Sequence, residues 1–148
     1  MPAFKALSYS STVSIYILIV IGGYVSATGS GLACPDWPLC NGGIIPELSA
    51  PVIIEYTHRL VTVLVTILVV STAATVWRGL RSAKAVLSAS TLTIVLLLAQ
   101  ILLGMVTVAT ELQPHVVTAH LSLAVALFAS SLFVSLQVHL LSLGQGKT

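Results

Sequence analysis

The chain has 148 residues, of which 57% are apolar and only 7% charged, and its net charge is +2. An ordinary soluble domain carries about 25% charged residues, so this is the composition of a membrane protein. It excludes a nucleic-acid binder, which needs a basic face, and a disordered region, which needs low hydrophobicity.

A hydrocarbon core about 30 Å thick takes roughly 20 apolar residues per crossing, and the length allows four crossings with short loops. The expected fold is therefore all-α, an integral membrane four-helix bundle formed by residues 1–148 as one domain. The first span covers residues 9–28, broken only by Ser, Thr and Gly, which hydrogen-bond back to their helix or pack closely. Lys5 and Val25-Ser26-Ala27 imitate a cleavable signal, but signal apolar regions run only about 7 to 15 residues, so a retained span is expected. Residues 29–51 form the one long loop, rich in Gly and Pro, with Cys34, Cys40, Asp36 and Glu47. The second span covers residues 52–77, and its first two turns hold Glu55, His58 and Arg59. The third covers 85–109. The fourth covers 114–143 and opens with Pro114, whose missing N–H costs nothing at a first helical position.

Lys5, Arg78, Arg81, Lys84 and Lys147 fall on the side of the termini, whereas Asp36, Glu47 and Glu111 fall opposite. The positive-inside rule then makes the termini cytoplasmic, in a multi-pass protein of the cell membrane with its cysteine loop on the outer face. Arg59 is the one basic residue on the opposite side, which marks it as a residue with a task.

Spans two and four run in the same direction, and His58 follows Val52 by six residues just as His120 follows Pro114 by six. At 1.5 Å per residue both histidines lie about 9 Å below the outer helix ends. Level histidines on parallel helices can clamp a heme iron from both faces; the plainer reading is a polar pair bonding between helices. Glu55, His58 and Arg59 stand at i, i+3 and i+4 and so share a helical face that must look into the bundle. Arg59 can pair with Glu55, or its planar fork can hold a carboxylate such as a heme propionate. A Glu55 left unpaired becomes a candidate proton acceptor inside the membrane. His115 lies five residues from His120, about 140° round the helix, so the two cannot ligate one iron; His115 and His139 read as interfacial polar residues. Gln100, Gly104 and Thr107 form a stripe on span three, suited to close packing or to contact with a flat ligand. Cys34 and Cys40 bracket five residues with two prolines, a compact turn in an oxidising compartment, so a disulfide is expected, either as a staple or as a redox pair. A zinc site would need further His or Cys in the loop, and the loop has none.

Four stretches together resemble the heme A synthase family: Thr28-Gly29-Ser30-Gly31-Leu32-Ala33-Cys34-Pro35-Asp36-Trp37-Pro38-Leu39-Cys40-Asn41-Gly42, then Glu55-Tyr56-Thr57-His58-Arg59, then Gln100 to Val108, and the segment beginning at His120. The resemblance covers nearly the whole chain and implies oxidation of the C8 methyl of heme O to a formyl group by two successive hydroxylations. The product is heme A for a terminal oxidase, with contacts to a heme O synthase and to that oxidase. It also implies His58 and His120 as axial ligands of heme, with Arg59 and Gln100 beside it. Glu55 is then the acidic residue next to the substrate methyl, and Cys34 and Cys40 are the outer-loop pair. Most members of that family have eight spans in two fused halves, one thought to hold a heme b cofactor. This chain is similar to the short, archaeal-type members, so either a homo-oligomer supplies two heme sites or one site serves in turn as cofactor and substrate pocket. Many members carry a basic residue where this chain has Ser26. A competing expectation is a non-catalytic bis-histidine cytochrome passing electrons from quinol, and another is a heme-handling assembly factor; neither needs a carboxylate beside the ring.

Overall fold

The computed structural model describes residues 2–47 and 49–145, with the side chains of Pro2 and Gln145 left aside. Lys147, one of the charges used above to orient the chain, lies outside the described residues. Four helices follow one another: α1 (Pro2–Ala27), α2 (Ala50–Gly79), α3 (Lys84–Ala109) and α4 (Pro114–Gln145). All four are long and apolar enough to cross a membrane. The bilayer offers the backbone no hydrogen-bonding partner, so a helix that satisfies its own N–H and C=O groups is the form such segments take. The helices overrun the expected spans most at the start of α1, which begins at Pro2 rather than residue 9. Apolar length measures only the hydrocarbon crossing, and the helix continues beyond it into the more polar first turns, where Ser8 donates its hydroxyl to Lys5 O at 3.1 Å.

Each helix packs against its neighbours in the chain, and α1 also packs against α4, which closes the four into a ring. In this up-and-down arrangement α2 and α4 lie diagonally and run the same way. The connections at 28–49 and 110–113 share one end, called here the loop end, and the termini share the other. At the loop end a Cβ on Gly31 would stand 3.1 Å from Leu112 Cδ1, so the two connections meet closely where residue 31 has no side chain. At the terminal end Phe4 lies over Gly79 so closely that a Cβ there would meet its ring at 2.6 Å.

Along the axis the interior is layered. A central apolar cluster joins Ile15, Val65, Val69, Leu97 and Leu127, and a second near the terminal end joins Val76, Leu80, Val86, Val134 and Val138. Buried Ser and Thr side chains lie between these clusters, and the loop end is closed by Cys34 and Cys40 packed on Val52. The opposite faces of the helices, such as Leu60, Val63 and Ile67 on α2, are exposed and apolar, as a lipid-facing surface requires.

Candidate functional site

The first two turns of α2 bring Glu55, His58 and Arg59 to the inner face of the bundle, Glu55 being 5% exposed and the other two half-buried. Of the two partners open to Arg59 in the sequence, Glu55 is the one it meets, with Nε donating to Oε1 at 3.0 Å. The rest of the guanidinium turns to the loop. One terminal nitrogen donates to Asp36 O and Leu39 O at 2.6 and 2.5 Å, and the other to Cys34 O at 2.6 Å. Arg59 is thus the clasp that fastens the loop to α2, and a single guanidinium N–H remains for anything else.

The loop is shaped to meet that clasp. Cys34 and Cys40 form a disulfide, with their Cα atoms 4.5 Å apart, and Cys40 pairs with Gly43 through a short β-bridge. Asn41 and Gly42 both take positive φ, 53° and 76°, the region that Gly and Asn tolerate best. Their N–H groups donate to the Asp36 carboxylate at 2.6 and 2.9 Å. Those hydrogen bonds, that of Gly42 foremost, hold the Asp36 carboxyl below its ordinary value. Tyr56 adds a second tie by donating its hydroxyl to Ile44 O at 2.6 Å.

His58 and His120 sit in matching surroundings. A Cβ on Gly22 of α1 would lie 3.2 Å from His58 Cε1, and a Cβ on Gly104 of α3 would lie 3.2 Å from His120 Cε1. Each imidazole therefore packs close against the preceding helix, where an added Cβ would require the ring to give way by a few tenths of an ångström. Gln100 Nε2 meets His120 Nε2 at 3.2 Å. The buried atoms His58 Nδ1, His120 Nδ1 and Gln100 Oε1 have no hydrogen-bond partner among the described residues. The other two histidines stand apart: His115 is exposed at the loop end, and His139 Nδ1 hydrogen-bonds Tyr9 Oη at 2.7 Å near the terminal end.

Gln100 and Gly104 of the span-three stripe both touch His120, while Thr107 is buried and donates to Gly104 O at 2.6 Å. Sequence reading missed two features. Gly22 appeared only as one of several small residues, although Gly22 to Thr28 and Gly104 to Thr110 share a spacing, Gly with Ala-Thr five and six residues on, that pairs the two glycines. The loop clasp of Arg59 carries no local signal, because its acceptors are backbone carbonyls in residues 34–39.

A model of the cytochrome oxidase assembly protein family matches residues 5–51 and 47–147. The chain is also similar to proteins named "Heme A synthase". That of Bacillus pumilus is 36% identical over 141 residues and that of Bacillus licheniformis 32% over 137, each match taking in 92% of this chain and 45% of the relative. That of Lysinibacillus sphaericus is 33% identical over 136 residues, 90% of this chain and 44% of the relative. The chain thus spans a little under half the length of the curated relatives it matches. With the family's pattern running from the first helix through the last, the chain belongs to the cytochrome oxidase assembly protein family.

Proposed function

We propose that this protein acts as a heme A synthase, oxidising the C8 methyl of heme O to a formyl group by successive hydroxylations. The observation that carries the reading is the histidine pair: two imidazoles on parallel helices, each seated on a glycine and each with a buried Nδ1 lacking a partner. Among the described residues no group of three His, Cys, Asp or Glu could hold a bare metal ion. A porphyrin supplies four ligands of its own and asks the protein for only two, so heme is the iron group this donor set fits. The names of the relatives point to the same chemistry.

When bound, heme supplies the redox chemistry of its iron, and heme O is the molecule acted upon. His58 and His120 would hold the ring, with Gly22 and Gly104 letting them stand close against α1 and α3. Glu55, one turn toward the loop end from His58, offers a carboxylate to positive charge developing at the methyl carbon, or accepts a proton from the water that adds there. Arg59 orients that carboxylate through Nε and keeps the disulfide loop over the site. A heme b cofactor and a homo-oligomer complete the reading, since one four-helix unit carries one level pair of histidines. In the same reading the termini are cytoplasmic and the cysteine loop faces outward in the cell membrane.

The test is co-expression with a source of heme O, followed by extraction and chromatography of the hemes bound to the purified protein. Heme A alongside heme O and heme B is the expected result. Heme B alone would overturn the synthase reading in favour of a non-catalytic cytochrome.

A further inference from the structure

We propose that Ile44 and Ile45 are an interfacial anchor, a pair of side chains by which the disulfide loop rests in the lipid bilayer at the level where headgroups meet acyl chains. Among the described residues these two are the most exposed of the large apolar side chains, at 78% and 82%. Water is the poorest surrounding for such a pair, and hydrocarbon the best. Being adjacent in sequence, the two form one apolar projection from a loop that is otherwise tied down.

The mounting of the pair is built from both sides. Gly43, just before it, pairs with Cys40 in the β-bridge, and Pro46, just after it, is buried. Between them Ile44 O accepts the hydroxyl of Tyr56 at 2.6 Å. The Tyr56 ring in turn packs on the cluster of Cys34, Cys40 and Val52, so the pair is fastened to the same unit as the disulfide.

Tyr56 also shows which surface the pair joins. Ile53, Tyr56, Leu60, Val63 and Ile67 recur at spacings of three and four along one face of α2. Tyr56 is half-buried under the loop, and the other four are exposed apolar residues of the lipid-facing surface. The tie from Tyr56 therefore brings Ile44 to the loop end of that lipid-facing stripe and continues it. Depth agrees with this. The 30 residues of α2 span about 45 Å, which matches a bilayer of about 40–45 Å with its headgroup layers included. Tyr56 follows Ala50 by six residues, about 9 Å along the helix, near the boundary of headgroups and hydrocarbon where tyrosines collect. The charges of the loop narrow the choice of lipid. Residues 28–49 contain no Lys or Arg, whereas Asp36 and Glu47 are acidic and exposed. Attraction to anionic headgroups is thus absent, and apolar contact with a neutral lipid is the force that remains. This contact needs neither heme nor turnover.

The test uses the full chain in phosphatidylcholine nanodiscs, with carbon-13 in the isoleucine δ1 methyls and the loop signals assigned through Ile44→Val and Ile45→Val. A nitroxide on the lipid, near the top of the acyl chain, should broaden the methyls of Ile44 and Ile45 as strongly as that of Ile53. Broadening several-fold weaker than at Ile53, with strong broadening by a water-soluble gadolinium chelate, would overturn the proposal and leave the pair standing in water as a surface for a protein partner. Tyr56→Phe removes only the hydroxyl that holds Ile44. It should weaken the lipid-induced broadening at Ile44 and Ile45 several-fold while Ile53 stays as it was. Unchanged broadening at all three would overturn the part given to Tyr56.

Discussion

The loop half and the terminal half of this bundle are made from the same four helices, yet they treat buried polar atoms in opposite ways. Toward the terminal end, hydroxyls are joined across helices: Ser11 with Thr72, Thr12 with Ser131 and Ser135, and Thr93 with Ser130, all at 2.8 or 2.9 Å. Toward the loop end stand the three buried side-chain atoms that lack a partner among the described residues, two on histidines and one on Gln100. An unsatisfied polar atom in hydrocarbon costs several kcal/mol, and a membrane helix has no water to fall back on. One half is thus complete as protein, and the other is built around groups that protein leaves free. Those groups are the ones that a ligand of the loop half would engage.

The comparison breaks outright if the histidines are idle. We expect His58→Ala and His120→Ala each to lose low-spin heme, read from the visible spectrum of the purified variants, whereas His115→Ala and His139→Ala keep it. An unchanged low-spin spectrum in both of the first two variants would remove the axial assignment. The next effect concerns Glu55. A single well-placed electrostatic contact is typically worth on the order of 10²-fold or more in rate. Glu55→Gln should therefore retain its heme spectrum while heme O, or the alcohol between methyl and aldehyde, accumulates at the expense of heme A. Full heme A yield from a heme-bearing Glu55→Gln protein would leave the residue as the structural partner of Arg59.

Arg59 tests how the loop half is held together. Breaking a buried ion pair by removing one partner costs roughly 3–5 kcal/mol, and here three carbonyl contacts to the loop go with it. Arg59→Ala should lower the melting temperature and open residues 34–43 to limited proteolysis. Arg59→Lys should rescue little, because an ammonium cannot present a planar fork to three carbonyls and a carboxylate. Reducing the Cys34–Cys40 disulfide should cost less, about 2 kcal/mol for so short a loop. Alkylation with mass analysis before and after reductant would follow it. If the pair is redox-active, Cys34→Ser should lower product formation more than it lowers the melting temperature.

The smallest effect is that of pH on the exposed loop. The carboxyl of Asp36 titrates below its ordinary 3.8 because the N–H groups of Gly42 and Asn41 favour its charged form. Its contribution is therefore whole above that value and is lost as acid takes the pH down through the folded-state value. Hydrogen exchange at Asn41 and Gly42, corrected for the intrinsic rate, should stay slow until that acid range and then quicken. Asp36→Asn should exchange fast at every pH.

What could be read in the sequence follows the range of the forces involved. The four crossings are legible because apolar length is a local property, and the inward placing of Glu55, His58 and Arg59 is legible because residues at i, i+3 and i+4 share a helical face. Glu55 and Arg59 are a legible pair at i, i+4. The fork of Arg59 is another matter, since its destination depends on how a loop from Thr28 to Ser49 folds back over α2. The hydroxyls of Ser11, Thr12, Thr72 and Ser131 look merely tolerable in their spans, because a residue that can bond its own backbone gives no sign of the neighbour it also meets. Gly22 fell between these cases: its role is local to His58 in space and remote from it in sequence.

The pairing of Gly22 with His58 and of Gly104 with His120 gives the two hairpins, α1 with α2 and α3 with α4, an approximate equivalence. They differ three residues before and one residue after each histidine, where α2 has Glu55 and Arg59 and α4 has Val117 and Leu121. A flat guest held between the rings would thus meet the buried Glu55 carboxylate beside His58 and, at the matching place beside His120, the uncharged Val117. Turned over, it would set its own polar edge against Val117. The two hairpins are thus alike in how they seat a histidine and unlike in the charge beside it, so the two orientations of such a guest would not be equivalent.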